Sequence, residues 1–142
     1  MKKLKFTFEG KTFYADMETD RAPKTCAAVE AACPFRSILL SAKVCHNEAV
    51  FRAPPSCLAD EVENPVFSTP GDIVFWGIRQ VICIFYDDMV ALNTSNRFAV
   101  MTPEDTKRFA LEGQRIWEHP GIPVEVDVVE LDENGEEAAR NG

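Results

Sequence analysis

Leu4-Lys5-Phe6-Thr7-Phe8-Glu9-Gly10-Lys11-Thr12-Phe13-Tyr14-Ala15-Asp16-Met17 is the stretch that decides the fold class. Leu4, Phe6 and Phe8 alternate with Lys3, Lys5, Thr7 and Glu9, the period of a half-buried strand. Gly10 interrupts the run. Phe13, Ala15 and Met17 then alternate with Tyr14, Asp16 and Glu18. Two such runs around a short Gly-containing loop predict a β-hairpin.

Working outward, a helix follows the hairpin. Asp20 places negative charge at its start and Pro23 suits its first position. Ala22, Cys26, Val29 and Cys33 form one apolar stripe, and Pro34 stops it. Residues 37–44 predict a strand with Ile38, Leu40, Ala42 and Val44 on one face. His46-Asn47-Glu48 predicts a turn into a partner strand at 49–52. Residues 53–72 hold Pro54, Pro55, Pro65, Pro70 and Gly71, with acids at Asp60, Glu61 and Glu63. A connection this long points to function or to disorder, with a short edge strand near Val66-Phe67. Ile73-Val74-Phe75-Trp76 is a strand, and residues 77–80 turn it tightly into Val81-Ile82-Cys83-Ile84-Phe85-Tyr86. That run is continuously apolar, so both its faces should be covered. Residues 97–101 predict another short strand. Thr102-Pro103-Glu104-Asp105 is a helix start with a capping hydroxyl, proline first and acids in the first turn. Phe109, Gly113, Ile116 and Trp117 form that helix's stripe, and Pro120-Gly121 ends it. Val124, Val126 and Val128 alternate with Glu125 and Asp127 in a last strand. The order predicts a mainly β protein: an antiparallel sheet or closed barrel of hairpin-linked strands, with two helices covering its ends.

The chain of 142 residues is sized for one domain, with 46% apolar and 27% charged residues. Its net charge of −8 argues against nucleic acid and against an anionic membrane surface as partners. Residues 130–142 carry five acids and one base, half of that net charge. They are expected to form a flexible acidic tail behind a barrel domain at 1–129. Small molecules, short peptides and a homo-oligomer remain as partners. Met1-Lys2-Lys3-Leu4-Lys5-Phe6 begins like a signal peptide, but no apolar run follows Lys5. The cysteines, Cys26, Cys33, Cys45, Cys57 and Cys83, are odd in number and lack a CxxC pair. They are expected as reduced thiols in a cytoplasmic protein, with no disulfide framework and no zinc ribbon. His46 and His119 are the only histidines, so a His-rich metal site is set aside, and no cofactor is expected.

Asp20-Arg21-Ala22-Pro23-Lys24-Thr25-Cys26, together with the element order, resembles cyclophilins, and the order fits over residues 3–129. The resemblance implies an eight-stranded antiparallel barrel with a helix over each end. A closer resemblance is to a small bacterial cyclophilin-like family of unknown function. It is carried by Lys2-Lys3-Leu4-Lys5-Phe6-Thr7-Phe8-Glu9-Gly10, by Glu48 and Phe51, by Pro70-Gly71-Asp72-Ile73-Val74-Phe75-Trp76, and by Cys83-Ile84-Phe85-Tyr86. Prolyl isomerases of the cyclophilin family use a strand arginine followed closely by Phe-Met-x-Gln-Gly. Residues 37–51 contain no arginine, and Arg52 runs into Pro54 and Pro55 instead. Arg97 lacks the expected neighbouring histidine. Ile84-Phe85-Tyr86 resembles the aromatic wall of the proline pocket, but that catalysis needs a charge aimed at the amide.

The candidate site residues follow from these strands. Glu48 and Cys83 are the candidate catalytic residues, and Glu48, Trp76, Phe85, Tyr86 and Arg97 the candidate ligand-binding ones. His46 and Glu48 share a face only if the backbone there is extended, where they would make an acid/base pair. Cys45 and His46, being adjacent, would point to opposite faces of a strand. Cys83 is either a core cysteine or a nucleophile at a pocket mouth. The second role needs a nearby positive charge, and Arg79 is the nearest in sequence. Trp76, Phe85 and Tyr86 either line an apolar pocket or pack as core, with Tyr86 and Arg97 as orienting polar groups. Asp87-Asp88 offers too few ligands for a cation. The expected function is binding of a small organic ligand or short peptide at the barrel face, edged by residues 53–72. The alternative is an enzyme on a small metabolite, for example hydrolysing a cyclic amide, with Glu48 as general acid or base and Cys83 beside it. Residual prolyl isomerase activity is the third.

Overall fold

The structure is a computed structural model that describes residues 1–138. Its elements in order are β1 (Lys2–Phe8), β2 (Lys11–Met17), α1 (Pro23–Ala32), β3 (Phe35–Ser41), β4 (His46–Arg52), β5 (Pro65–Val66), β6 (Asp72–Trp76), β7 (Val81–Met89), β8 (Ser95–Met101), α2 (Pro103–Glu118) and β9 (Ile122–Glu130). Eight strands form an antiparallel ring, β2-β1-β9-β3-β4-β7-β6-β8, which the β2–β8 pairing closes. The two-residue β5 lies against the start of β8, whose end pairs with β2. The closed antiparallel barrel with two helices predicted from the order is what the chain forms.

The period-2 pattern of the first hairpin fills the barrel. Phe6, Phe8 and Phe13 point inward and are essentially fully buried. Phe109 of α2 meets all three edge-on, with ring centroids 5.3–5.8 Å apart. Burying each ring contributes about 1.5–3 kcal/mol, so this contact helps hold α2 to its end of the barrel. The helix begins as its sequence predicts: the Thr102 side chain accepts the Asp105 N–H at 3.1 Å.

At the other end α1 has no capping side chain of its own, because Ala22 sits at its N-cap. Glu63, from the long connection after β4, supplies the cap instead. Its carboxylate accepts the backbone N–H of Thr25 at 2.7 Å and of Lys24 at 3.1 Å, and the Thr25 hydroxyl at 2.8 Å. Burial pushes this carboxyl up, but those bonds outweigh it and hold it below the usual range. Buried Asn96 completes the join. Its amide oxygen accepts the N–H groups of Glu63 and Asn64, and its amide nitrogen donates to the Thr25 hydroxyl and the Glu61 carbonyl. Ala53, Cys57 and Ala59 sink into the main core. Residues 53–72, read from sequence as function or disorder, thus have a fixed course. Residues 53–64 close the α1 end of the barrel, and by Gly71 the segment has reached Met101 and Thr106 at the α2 end.

Three local expectations are corrected. Ile38 and Leu40 do share a face, but it is the outer one, 45% and 46% exposed, while Leu39 is buried opposite them. Leu39 lies beside Ile122, an inward residue of β9, and that pairing sets which of the three consecutive apolar residues turns in. Ala42 and Val44 lie past the strand in the turn to β4. Second, Glu48 lies within β4 and not in a turn, because the strand begins at His46 with a bulge between His46 and Glu48. Third, Trp117 is only half-buried in α2. Its ring packs edge-on with His46 at 5.3 Å and carries the Lys43 ammonium at 4.9 Å.

The acidic stretch beyond β9 folds back on itself as far as residue 138. Leu131 bridges to Glu137, and the Ala138 N–H donates to the Glu130 carbonyl at 2.8 Å. Glu137 meets Lys5 and accepts the Tyr14 hydroxyl at 3.1 Å. Residues 139–142 of the predicted tail lie outside the described residues. Among the described residues, no helix is long and apolar enough to cross a membrane.

Candidate functional site

The outward positions of β4, β7 and β6 line up by register. Glu48 lies opposite Phe85, and the pairing of Ile73 with Ile84 brings Asp72 to the other flank of Phe85. One row on, Val50 faces Cys83, Cys83 faces Val74, and Val74 faces Arg97 of β8. The next row, toward the α1 end, runs Arg52, Val81 and Trp76. Outward residues of a barrel are ordinarily wet. Here Val74, Cys83 and Phe85 are 1–3% exposed and form an apolar cluster separate from the main core. Cys45, Val50, Val81 and Met89 pack against it.

Glu48 is set into this cluster at 6% exposure. The Cys83 thiol and the backbone and thiol of Cys45 lie toward its carboxylate and favour the charged form. Burial pushes the carboxyl above the usual range, and these groups only partly oppose it. The Cys83 thiol is pushed far up by burial and then by the Glu48 carboxylate. A thiol in that setting stays protonated and is a poor nucleophile. Of the other buried thiols, Cys26 is pushed up to about 12 and Cys57 to about 11, each chiefly by burial.

Asp72 is the second buried acid in this row. It accepts the Thr69 N–H at 3.0 Å and meets Arg97 at 3.4 Å. Burial still raises it, so the ion pair offsets part of the desolvation and not all of it. The Arg97 guanidinium is shared, because Glu18 takes two of its nitrogens at 2.5 and 3.2 Å.

The structure therefore brings Glu48, Cys83 and Phe85 together. Trp76 sits at the edge of the same face, half-exposed and two rows from Glu48. Arg97 is on this face but tied to two acids. Tyr86 is on the opposite face of β7, inside the barrel. Its hydroxyl donates to the Gly113 carbonyl at 3.3 Å and its ring lies 5.4 Å from Phe109. Gly113 is required there, since a Cβ would fall 2.0 Å from the Tyr86 ring. The bulge turns His46 toward Trp117 and the Asp88 carbonyl, 3.0 Å from Nδ1. Cys45, Val50, Val74 and Met89 were not picked out by the sequence. Only the β4–β7 register, which a single chain does not reveal, assembles them. Among the described residues no group of three His, Cys, Asp or Glu side chains is placed to hold a metal ion.

Two concavities open elsewhere. One of about 380 Å³ is lined by Lys5, Phe35, Arg36 and Glu125, and one of about 630 Å³ by Lys2, Glu30, Glu130 and Glu137. Both are open and carry mixed surface charge, without a buried unpaired group. The Glu48 cluster is the chemically distinctive feature of the outer face, and Cys45 and Met89 cover it.

No family model and no curated protein matches the chain in sequence. Solved structures do match it. The structure of McbB in complex with tryptophan superposes with a TM-score of 0.75 at 19% identity, covering 99% of this chain and 47% of McbB. The chain spans about half the length of McbB. A hypothetical protein from Archaeoglobus fulgidus, AF2241, superposes with a TM-score of 0.65 at 20% identity over 88% of this chain and 92% of its own. The fold is shared with both. At such identities that is what the likeness establishes.

Proposed function

We propose that this barrel binds a small organic ligand or a short peptide on its outer face, around Glu48, Cys83 and Phe85 with Trp76 at the edge. The observation that carries the reading is a nearly buried carboxyl inside an apolar cluster on the outside of the barrel. Burying a carboxyl among hydrocarbon costs stability. The McbB structure supports the reading, since that protein is in complex with tryptophan. We place the chain near the small bacterial cyclophilin-like family, in the cytoplasm, and without prolyl isomerase activity. The commitment of Arg97 to Glu18 and Asp72 supports that last point.

A second reading is favoured by one observation. A carboxyl that burial makes hold its proton more tightly is suited to general acid/base work, so Glu48 could serve an enzyme acting on a small metabolite. In that enzyme Cys83 would donate a hydrogen bond and not attack.

Amide NMR with tryptophan and with short peptides tests the binding reading. Shifts at Glu48, Val50, Cys83 and Phe85 are expected. Shifts confined to the concavity around Phe35 and Glu125 would overturn it.

A further inference from the structure

Asp16, Glu18, Glu30, Asp72 and Glu125 each meet a lysine or arginine. Glu48 is among the most buried and pairs with none among the described residues. Its partners are two thiols, which are weak donors, and one backbone N–H. A carboxylate needs more than this when water is excluded. Its surroundings are otherwise hydrocarbon and sulfur: Phe85 across the strand pair, Val50 and Val74 one row on, and Met89.

We infer that this face takes a cationic amine carried on an apolar or aromatic body, with Glu48 as its counter-ion. The inference rests on the binding reading above and names its ligand class. An anion is repelled by the carboxylate, Arg97 on the same face is already tied to Glu18 and Asp72, and Arg52 lies two rows away. A neutral polar head gains a hydrogen bond but leaves the charge uncompensated. An ammonium supplies both the charge and strong donors, and the Phe85 ring adds a cation–π contribution. Its place is the one the Cys45 thiol now holds. Cys45 is only partly buried, and it lies in the β3–β4 turn, where Lys43 (φ 63°) and His46 (φ 74°) both have left-handed backbone. Cys45 lies outside the paired strands, whereas Phe85, Cys83 and Val74 are fixed on them.

The test uses three compounds with one aromatic body: 2-phenylethylamine, 2-phenylethanol and 3-phenylpropionate. Affinity is measured by calorimetry, and location by amide shifts of Val50, Cys83 and Phe85. The amine should bind at least about tenfold more tightly than the alcohol, and the acid most weakly. In Glu48→Gln the gap between amine and alcohol should close. If all three compounds shift the same amides with equal affinity, the amine inference falls and the binding reading stands. If none shifts them at millimolar concentration, both fall.

Should Glu48→Gln not fold, the wild-type pH profile decides. Affinity for 2-phenylethylamine should rise with pH as Glu48 ionises, while the amine stays protonated. The titratable groups facing Glu48 are Cys45 from the turn and Cys83 from β7. On β6, Asp72 is tied to Arg97. An affinity that does not change with pH overturns the inference.

Discussion

Asp72 and Glu48 flank the same ring, Phe85, in one row across three strands, and both are buried. Asp72 has a guanidinium and a backbone N–H; Glu48 has two thiols and a backbone N–H. The first is a group the fold compensates in part with a cation of its own. The second meets no cation among the described residues. Two acids in nearly the same position, treated so differently, separate what ties this barrel together from what the proposed binding face would offer a ligand.

The comparison is broken most severely at Arg97. Arg97→Met leaves Asp72 and Glu18 without their cation. The expected loss is about 3 kcal/mol, at the low end for a broken buried pair because Arg97 keeps about a fifth of its side chain in water. Urea unfolding measures it, and an unchanged midpoint would mean that Asp72 is no better compensated than Glu48. The inner side of β7 provides a control. Gly113→Ala drives a methyl into the Tyr86 ring, and about 1–3 kcal/mol should be lost despite alanine's better helix propensity. Ligand affinity per folded molecule should not change, since Tyr86 faces away from the site.

Glu48→Gln should have the smallest effect on stability, within about 1 kcal/mol at neutral pH and in the stabilising direction. Its sign depends on pH. Glu48 holds its proton more tightly in the folded state than in the unfolded chain, where the value is about 4.3. The stability linked to that proton is complete below the unfolded value and is lost as pH rises through the folded one. The wild type should therefore lose ground to Glu48→Gln over that window. Asp72 titrates with the same sign, but it is present in both proteins and cancels in the difference. Glu63 has the opposite sign. Its depressed carboxyl stabilises above the unfolded value and loses that contribution as pH falls. Thermal melts of Glu63→Gln should show a deficit at pH 7 that narrows toward pH 3.

The sequence was legible where one element's own period settles the matter. The first hairpin, the helix opening at Thr102 and the inward Val124, Val126 and Val128 needed no partner to be read. It was misleading at Ile38-Leu39-Leu40, where both faces are apolar and only the β9 register chooses between them. The candidate site was half legible as a cluster of residues. Glu48, Cys83 and Phe85 stood out by residue type and by resemblance, and the structure places them together. Tyr86 was grouped with Phe85 although strand alternation puts them on opposite faces. Cys45 was weighed only against its neighbour His46, yet its partner is Glu48, reached across a bulge that the sequence does not announce. The cap on α1 was also invisible, because Glu63 is far from Thr25 in sequence and meets it only once residues 53–72 are in place.

The account turns on the ionisation of one side chain. A ¹³C NMR titration of the Glu48 carboxyl, in the free protein and with saturating 2-phenylethylamine, follows it directly. A midpoint above the ordinary carboxylate value in the free protein, falling when the amine is bound, is the predicted result. An ordinary midpoint that the amine leaves unmoved would contradict it.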